Sequence, residues 1–223
     1  MSRPGLAGGR LPGTGPQATP SPAVAAGYGV KRLELIFDDC VVTVSRGEAG
    51  ARTLGDRPQA FWWAASPQHT PDSATAPVLV GQSGSDWLFL ELADACGAVV
   101  GLRGAEPERS RFAAALANQL VVLPGRPLPR PVVVSVSRAL EPELLAFRPF
   151  EADGVEQVQE ALTAPDIGVC VVFATSDDQA ELGSLLSARA CATRPSAVVV
   201  LGDAGPAATW SLEIRGGVGD ASG

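Results

Sequence analysis

Lysine and histidine, which carry much of the phosphate and acid–base chemistry of enzymes, each occur once in this chain, as Lys31 and His69. A phosphate-binding loop that ends in Gly-Lys-Ser/Thr needs its lysine directly before a helix, whereas Lys31 stands beside an alternating apolar run. A serine or cysteine nucleophile would depend on His69 as its base, and His69 lies in a polar stretch that contains prolines. Neither chemistry is predicted, and we expect no catalytic residue.

The four cysteines, Cys40, Cys96, Cys170 and Cys191, are scattered along the chain without any Cys-x-x-Cys pair. A structural zinc site needs four closely spaced cysteine or histidine ligands, so no metal site is predicted. Cys40, Cys96 and Cys170 lie in or beside apolar runs, where cysteine packs as a small hydrophobic residue. We expect all four to be buried thiols in a reducing cytoplasm, with one disulfide among them as the alternative.

The chain has 223 residues, of which 46% are hydrophobic, and its net charge is −7. This hydrophobic content is sufficient for a packed core. The acidic balance argues against a nonspecific nucleic-acid surface, because neutralising phosphates requires a cluster of cationic side chains. No apolar run approaches the ~20 residues that span a bilayer, and no apolar segment follows Arg3 and Arg10 as it would in a secretory signal. The expected location is the cytoplasm.

Four regions follow from the distribution of residue types along the chain. Residues 1–29 are rich in glycine, proline and alanine and carry too little apolar surface to offset the entropy of ordering, so we expect a disordered tail. A misassigned start codon is the alternative explanation of that composition. Residues 30–76 are interpreted as a small β-rich region, residues 77–216 as an α/β domain, and residues 217–223 as a flexible C-terminus.

Alternation of apolar side chains predicts strands in the β-rich region. Leu33, Leu35 and Phe37 occupy every second position, Asp38-Asp39 supplies a turn, and a valine-rich strand follows, which together predict a β-hairpin. The Phe-Trp-Trp run at residues 61–63 predicts another strand, whose large rings favour packing in the core over stacking on a ligand.

From residue 97 onward, short apolar strands alternate with helical patterns. Strands are expected within residues 95–104, 131–137, 167–176, 196–203 and 210–215, after a hairpin that spans residues 77–92. Helices are expected after Pro107, over residues 141–147 and 155–162, and after Ser176-Asp177-Asp178. The predicted fold is α/β, with a mainly parallel sheet and helices on both faces, preceded by the hairpin-rich region.

A glycine-containing turn into a helix is the place where an α/β sheet most often binds a ligand, and residues 101–110 form such a turn. Gly101, Gly104, Arg109 and Ser110 are therefore the candidate residues for binding a nucleotide or another anion. Glu108 stands where a phosphate-binding loop has its last glycine, and its bulk and charge would compete with a phosphate. An ordinary strand-to-helix connection with stabilising acidic residues is the simpler interpretation.

The ends of the later strands lack the acidic residue that a nucleotide hydrolase uses to hold magnesium. The strand at 131–137 is followed by Arg138 and by no carboxylate before Glu141. Thr175 or Ser176 could touch a ligand, although helix capping by Ser176 is the simpler role, and Asp203 is interpreted as a turn residue. No cofactor is predicted.

The chain has a predicted hairpin that ends in LFLEL, followed by a strand, the sequence GLRG and a helix. This order of elements resembles the entry into the ATPase core of the FtsK/SpoIIIE-like family. That family includes DNA translocases and the motor subunits of type VII secretion systems. The resemblance spans about residues 77–215, and only Gly104, Arg109 and Ser110 fall near the family's phosphate-loop positions. Because the lysine, the last loop glycine and the magnesium-binding carboxylate are missing, the resemblance implies a degenerate, P-loop-NTPase-like module without hydrolysis, in a ring or multi-domain assembly.

Three functions remain open on the sequence. The first is a non-catalytic, ATPase-like module that serves as a protein-interaction or regulatory scaffold, with a protein partner or a second copy of itself. The second is a nucleotide- or small-molecule-binding protein, or an enzyme, that uses the turn at residues 101–110. The third is an accessory domain of a transcriptional or cell-envelope regulator.

The excess of arginine over lysine and the content of alanine, glycine and proline are typical of a GC-rich, actinobacterial type of genome.

Overall fold

The computed structural model describes residues 32–47, 61–64, 75–93, 98–122, 131–164, 168–192 and 194–216. The predicted disordered tail and the predicted flexible C-terminus lie outside these ranges. The strands are β1 (Leu33–Phe37), β2 (Cys40–Arg46), β3 (Phe61–Ala64), β4 (Pro77–Ser83), β5 (Asp86–Glu91), β6 (Val99–Arg103), β7 (Val132–Val136), β8 (Phe150–Ala152), β9 (Cys170–Thr175), β10 (Ser196–Leu201) and β11 (Trp210–Arg215). The α-helices are α1 (Glu106–Val122), α2 (Val155–Thr163) and α3 (Gln179–Ala190).

Hydrogen bonds join the described strands into one eleven-stranded sheet, in the order β3-β5-β4-β1-β2-β11-β6-β10-β9-β7-β8. From β11 to β8 all neighbouring strands are parallel, as the alternation of strands and helices predicts. From β3 to β11 they are antiparallel. The fold is therefore α/β with a mixed sheet. The boundary predicted between residues 76 and 77 falls within this sheet, because β1 pairs with β4 and β2 pairs with β11.

The hairpin predicted at the start of the β-rich region is confirmed. β1 and β2 are antiparallel with Phe37 opposite Cys40, so that Asp38 and Asp39 form the two-residue connection. The strand predicted at Phe-Trp-Trp is β3. The helix predicted over residues 141–147 is wrong in extent, since only a three-residue 3₁₀ turn, Pro142–Leu144, is present there.

The apolar side chains of the parallel strands belong to two separate hydrophobic clusters. Along β9, Phe173 joins the cluster that contains Leu116 of α1, whereas Val172 joins the cluster that contains Val158 of α2 and Leu185 of α3. Consecutive residues of a strand point to opposite faces, which explains why neighbouring residues of β9 enter different clusters.

The side-chain amides of two neighbouring residues, Asn118 and Gln119, connect α1 to the rest of the chain. The Asn118 side chain donates to the carbonyl of Leu144 at 2.9 Å and accepts from the N–H of Ala146 at 2.8 Å. The Gln119 side chain makes the corresponding pair of hydrogen bonds with the backbone of Leu79 in β4. Helix α1 is thereby fixed both to the antiparallel half of the sheet and to the connection that follows β7.

Candidate functional site

The connection between β6 and α1, where the sequence places its candidate site, is two residues long. β6 ends at Arg103 and α1 begins at Glu106, so only Gly104 and Ala105 lie between them. Helical hydrogen bonding is established at once, since the N–H of Arg109 donates to the carbonyl of Ala105 at 3.0 Å. Residues 106–108, which align with part of a phosphate-binding loop, are helical.

The two candidate glycines differ in how closely they pack. Gly104 has a φ of +141°, and a Cβ there would overlap with the carbonyl oxygen of Ile214 in β11. Gly101 is a buried residue of β6, but a Cβ built on it would lie 3.4 Å from the Cβ of Ala204, which is an ordinary van der Waals contact. Close backbone packing is therefore sufficient to explain Gly104.

The two other candidate residues, Arg109 and Ser110, lie inside α1 and are partly buried. The Nε atom of Arg109 is buried and has no hydrogen-bond acceptor among the described residues. Just before it, Glu106 and Glu108 occupy the first turn of α1, where their charges interact favourably with the positive end of the helix dipole. The Oε2 atom of Glu108 is also buried, and it has no donor in the described part of the chain. These carboxylates oppose the binding of a phosphate at this helix N-terminus.

A groove of about 540 Å³ lies beside the β6–α1 turn, at the ends of β6 and β11, and we call it the strand-end groove. It is lined by Arg32, Thr43, Ser45, Arg103, Gly104, Ala105, Glu108, Ser211, Glu213, Ile214, Arg215 and Gly216. Across β2, β11 and β6, Glu213 is directly opposite Thr43 on one side and Arg103 on the other. Since residues directly opposite each other share a face of the sheet, these three side chains lie together.

Arginine–carboxylate pairs surround this groove. The Nη2 atom of Arg215 donates to Oε1 of Glu213 at 3.0 Å, and the Nη2 atom of Arg32 lies 3.5 Å from Oε2 of the same carboxylate. The hydrogen bond from Arg215 lowers the pKa of Glu213, and the nearby charges of Arg215, Arg32 and Arg103 act in the same direction. Two guanidinium groups therefore share one carboxylate.

Arg103 has a different partner, because its Nη2 atom donates to Oδ1 of Asp203 at 2.6 Å. Asp203 also accepts from the N–H of Gly205 at 2.9 Å, which agrees with the turn role expected of it. The hydrogen bond from Arg103 is the main cause of the lowered pKa of Asp203, followed by the bond from Gly205. Both charged side chains are more than half exposed, so the pair contributes little to stability.

A buried hydroxyl also lines the strand-end groove. Thr43 is only 2% exposed, and its Oγ1 atom has no hydrogen-bond partner among the described residues. Ser45, two residues further along β2, donates to the carbonyl of Ser211 at 3.4 Å. The groove thus combines hydroxyl groups with three guanidinium groups and two carboxylates.

The end of β7 forms a tight turn. Ser137 and Arg138 have positive φ values of 50° and 58°, and the N–H of Ala139 donates to the carbonyl of Val136 at 2.9 Å. Two central residues with positive φ define a type I′ turn.

The end of β9 leads into a helix that is capped from within the predicted run Ser176-Asp177-Asp178, but the assignment of the cap to Ser176 is wrong. Asp178 is the N-cap of α3, and its carboxylate accepts from the N–H groups of Ala180 and Glu181 at 2.9 Å each. An N-cap must lie immediately before the helix, and Ser176 is two residues too early.

The cysteines differ in exposure. Cys170 is buried, as expected, but Cys40 is only partly buried and Cys191 is exposed, so the expectation of four buried thiols is wrong for these two. Cys191 immediately follows the last turn of α3, where solvent reaches it. All three are free thiols. Cys96, like Lys31 and His69, lies outside the described residues.

Within the described ranges, no group of three or more histidine, cysteine, aspartate or glutamate side chains is placed to hold a metal ion. None of the described helices has both the length and the apolar character that a membrane span requires.

The strand-end groove extends well beyond residues 101–110, where the sequence predicts the candidate site. Its polar side chains come from strands that are far apart in the chain and become neighbours only through the pairing of β2, β11 and β6. The available signal was the alternation along β11, where Ser211, Glu213 and Arg215 occupy every second position.

Comparison of the chain with protein-family models, with curated proteins and with solved structures found no match.

Proposed function

We propose that this chain is a non-hydrolysing, ATPase-like α/β module that serves as a protein-interaction or regulatory scaffold. The observation that carries the proposal is the two-residue connection between β6 and α1. A phosphate-binding loop of the Gly-x₄-Gly-Lys-Ser/Thr type needs several consecutive residues whose N–H groups surround the phosphates. Gly104 and Ala105 alone are too few to make that loop.

The order of elements along the chain supports the ATPase-like part of the proposal. The antiparallel pair β4–β5 comes directly before β6 and helix α1. The FtsK/SpoIIIE-like ATPases, which the sequence resembles, likewise have a strand pair before the phosphate loop. The two hydrophobic clusters, one shared with α1 and the other with α2 and α3, favour helices on both faces of the parallel half of the sheet.

The chemistry available at the strand ends supports the absence of hydrolysis. The turn after β7 presents Ser137 and Arg138, neither of which supplies the carboxylate that holds magnesium at a strand end in nucleotide hydrolases. After β9, the Asp178 carboxylate is engaged as the cap of α3. At the start of α1, Glu108 and Arg109 replace the glycine and lysine that contact the phosphates in a phosphate-binding loop.

The experiment that tests the non-hydrolysing part measures phosphate release from Mg-ATP by the purified protein, by Ser110→Ala and by the double variant E108G/R109K. We expect no release above buffer from any of the three, because restoring the glycine and lysine leaves the short connection unchanged. Release by the wild type that Ser110→Ala abolishes would contradict the proposal. Release gained by the double variant would show that connection length is not the obstacle.

The scaffold part is tested by crosslinking and by measuring molecular mass in solution. Ile36 and Phe150 are large hydrophobic side chains that are 64% and 47% exposed, which makes their surroundings candidates for contact with a partner. We expect self-association or a reproducible protein partner, weakened by Ile36→Ser or Phe150→Ser. A monomer that crosslinks to no partner in an extract of its own host would contradict a scaffold role.

A further inference from the structure

We propose that the strand-end groove binds a small oxyanion, specifically a phosphate group that is either free or part of a phosphomonoester. Arg109 and Ser110, the residues that align with a phosphate-binding loop, do not line this groove. The site is built from β2, β11, the end of β6, the first turn of α1 and Arg32 directly before β1, and it does not depend on the ATPase-like assignment.

The arginines of the groove have many unused hydrogen-bond donors. Arg32, Arg103 and Arg215 all line the groove, and each guanidinium group carries five N–H donors. In the described contacts, Arg32 and Arg103 each make one side-chain hydrogen bond and Arg215 makes two. Most of these donors are therefore available, and guanidinium groups match the geometry of phosphate oxygens.

The charges around the groove leave two arginines with one carboxylate between them. Arg32 and Arg215 both pair with Glu213. Arg103 is paired with Asp203, which does not itself line the groove, and Asp203 together with Glu108 brings the charges near the groove into balance. An added anion is therefore attracted mainly by Arg32 and Arg215.

Thr43 lines the groove with a buried hydroxyl group that lacks a partner, independently of the charges around it. This residue is 98% buried, and its Oγ1 atom has no hydrogen-bond partner in the described part of the chain. It lies on the same face as Glu213 and Arg103, according to the strand register. Buried hydroxyl groups are normally hydrogen-bonded, and an oxygen of a bound phosphate would supply the missing partner.

Glu108 determines which form of the ligand fits. Its Oε2 atom is buried without a donor among the described residues, so a ligand that carries only acceptors would be repelled there. A phosphate that retains one proton offers an O–H to Glu108 and anionic oxygens to the arginines. Because the carboxylates of Glu108 and Glu213 repel an anion, phosphate binds weakly. Phosphate binding becomes stronger when the charge of either carboxylate is removed.

The test is a titration followed by ¹H–¹⁵N spectra, at ionic strength held constant with sodium chloride. Separate arms use inorganic phosphate, glycerol phosphate as a phosphomonoester, and acetate. We expect saturable shifts at the amides of Thr43, Glu213 and Gly104 with at least one of the two phosphates, and none with acetate. Saturation by both phosphates, or by only one of them, supports the site and identifies the source of the phosphate group. Acetate binding as tightly as phosphate, or no saturation below about 50 mM in any arm, would overturn the proposal.

Variants then locate the site. Arg32→Ala and Arg215→Ala each weaken phosphate binding about tenfold, and the near-isosteric Thr43→Val weakens it severalfold. Glu213→Gln strengthens binding, which a merely structural role of this residue would not produce. Arg138→Ala removes an exposed arginine from the turn after β7 and is the matched control that leaves binding unchanged. Wild-type affinity in both Arg32→Ala and Arg215→Ala, with folding verified by circular dichroism, would also overturn the assignment.

Discussion

Gln119 of α1 pairs with the backbone of Leu79 in β4 through both ends of its side-chain amide. Its Oε1 atom accepts from the N–H of Leu79 at 2.7 Å, and its Nε2 atom donates to the carbonyl of the same residue at 3.1 Å. Leu79 lies beside the register shift between β4 and β5, and the neighbouring strand β1 pairs with β4 only at Gln82. The Gln119 side chain thus makes the two backbone hydrogen bonds that a neighbouring strand would otherwise make with Leu79.

Replacing Gln119 by alanine should lower the free energy of unfolding by about 2 kcal/mol, because it leaves a partly buried N–H and carbonyl without partners. Urea denaturation measures this change. The control is Gln159→Ala on the exposed side of α2, which should change stability by less than about 0.5 kcal/mol. Faster hydrogen exchange at the amide of Leu79 should accompany the loss, and equal stability of the two variants would contradict the role assigned to Gln119.

The type I′ turn after β7 predicts a stabilising substitution. Arg138 has a φ of 58°, a conformation that costs about 1 kcal/mol or more for a residue with a Cβ. Arg138→Gly should therefore raise the free energy of unfolding by about 1 kcal/mol, measured by the midpoint of chemical denaturation. Arg138→Ala keeps the Cβ and should give no such gain. A glycine variant no more stable than the alanine variant would show that the turn is not strained.

Gly104 provides a third prediction, because a Cβ there would overlap with the carbonyl oxygen of Ile214 and would have to adopt a φ of +141°. Gly104→Ala should destabilise the protein by about 3 kcal/mol, since steric overlap with backbone and an unfavourable φ act together. Gly183→Ala is the matched control, because nothing beyond its chain neighbours and the local backbone of α3 lies within 4 Å of its Cβ position. In that helix, alanine should increase stability by up to about 1 kcal/mol. A neutral Gly104→Ala would remove the packing explanation of this glycine.

Elements with a strong local signal were predictable from sequence. The hairpin at Asp38-Asp39 and the helix after Pro107 rest on period-two or helical patterns and on turn or capping residues, which act within a few residues of the chain. Strand β8 was not predicted, because its three residues are too short to show alternation and depend on pairing with β7. The joining of the β-rich region and the α/β domain into one sheet was not predicted for the same reason, because it also depends on pairing between strands that are distant in sequence.

The candidate site was predictable only in part, for the same physical reason. The sequence identifies Glu108 as an obstacle to phosphate binding, because that argument needs only the residues of one turn. It does not place Thr43, Glu213 and Arg103 together, because they come from three strands that pair across more than a hundred residues of sequence. Strand order, which depends on tertiary packing, decides which polar positions become neighbours.

The thiol of Cys170 lies in the core, where this residue is only 2% exposed. Burial raises the pKa of this thiol to about 12, from the usual value of 9.0. Between these two pH values the unfolded chain loses the thiol proton whereas the native chain keeps it, so the native state binds more protons. The free energy of unfolding should therefore fall as the pH rises above about 9, with a slope from this group of up to about 1.4 kcal/mol per pH unit. Below pH 9 the contribution of this thiol is constant and fully present.

Denaturation curves of the wild type and Cys170→Ala at pH 8 to 10.5 measure this contribution, since the difference between the two proteins isolates one thiol. The alanine variant should be less stable at pH 8, because it loses buried volume, and the gap should narrow as the pH rises. A thiol reagent at pH 8 should label the exposed Cys191 rapidly and Cys170 only when the protein unfolds, because the reacting species is the thiolate. A gap that stays constant with pH, or labelling of Cys170 as fast as that of Cys191, would contradict a protonated, inaccessible thiol at this position.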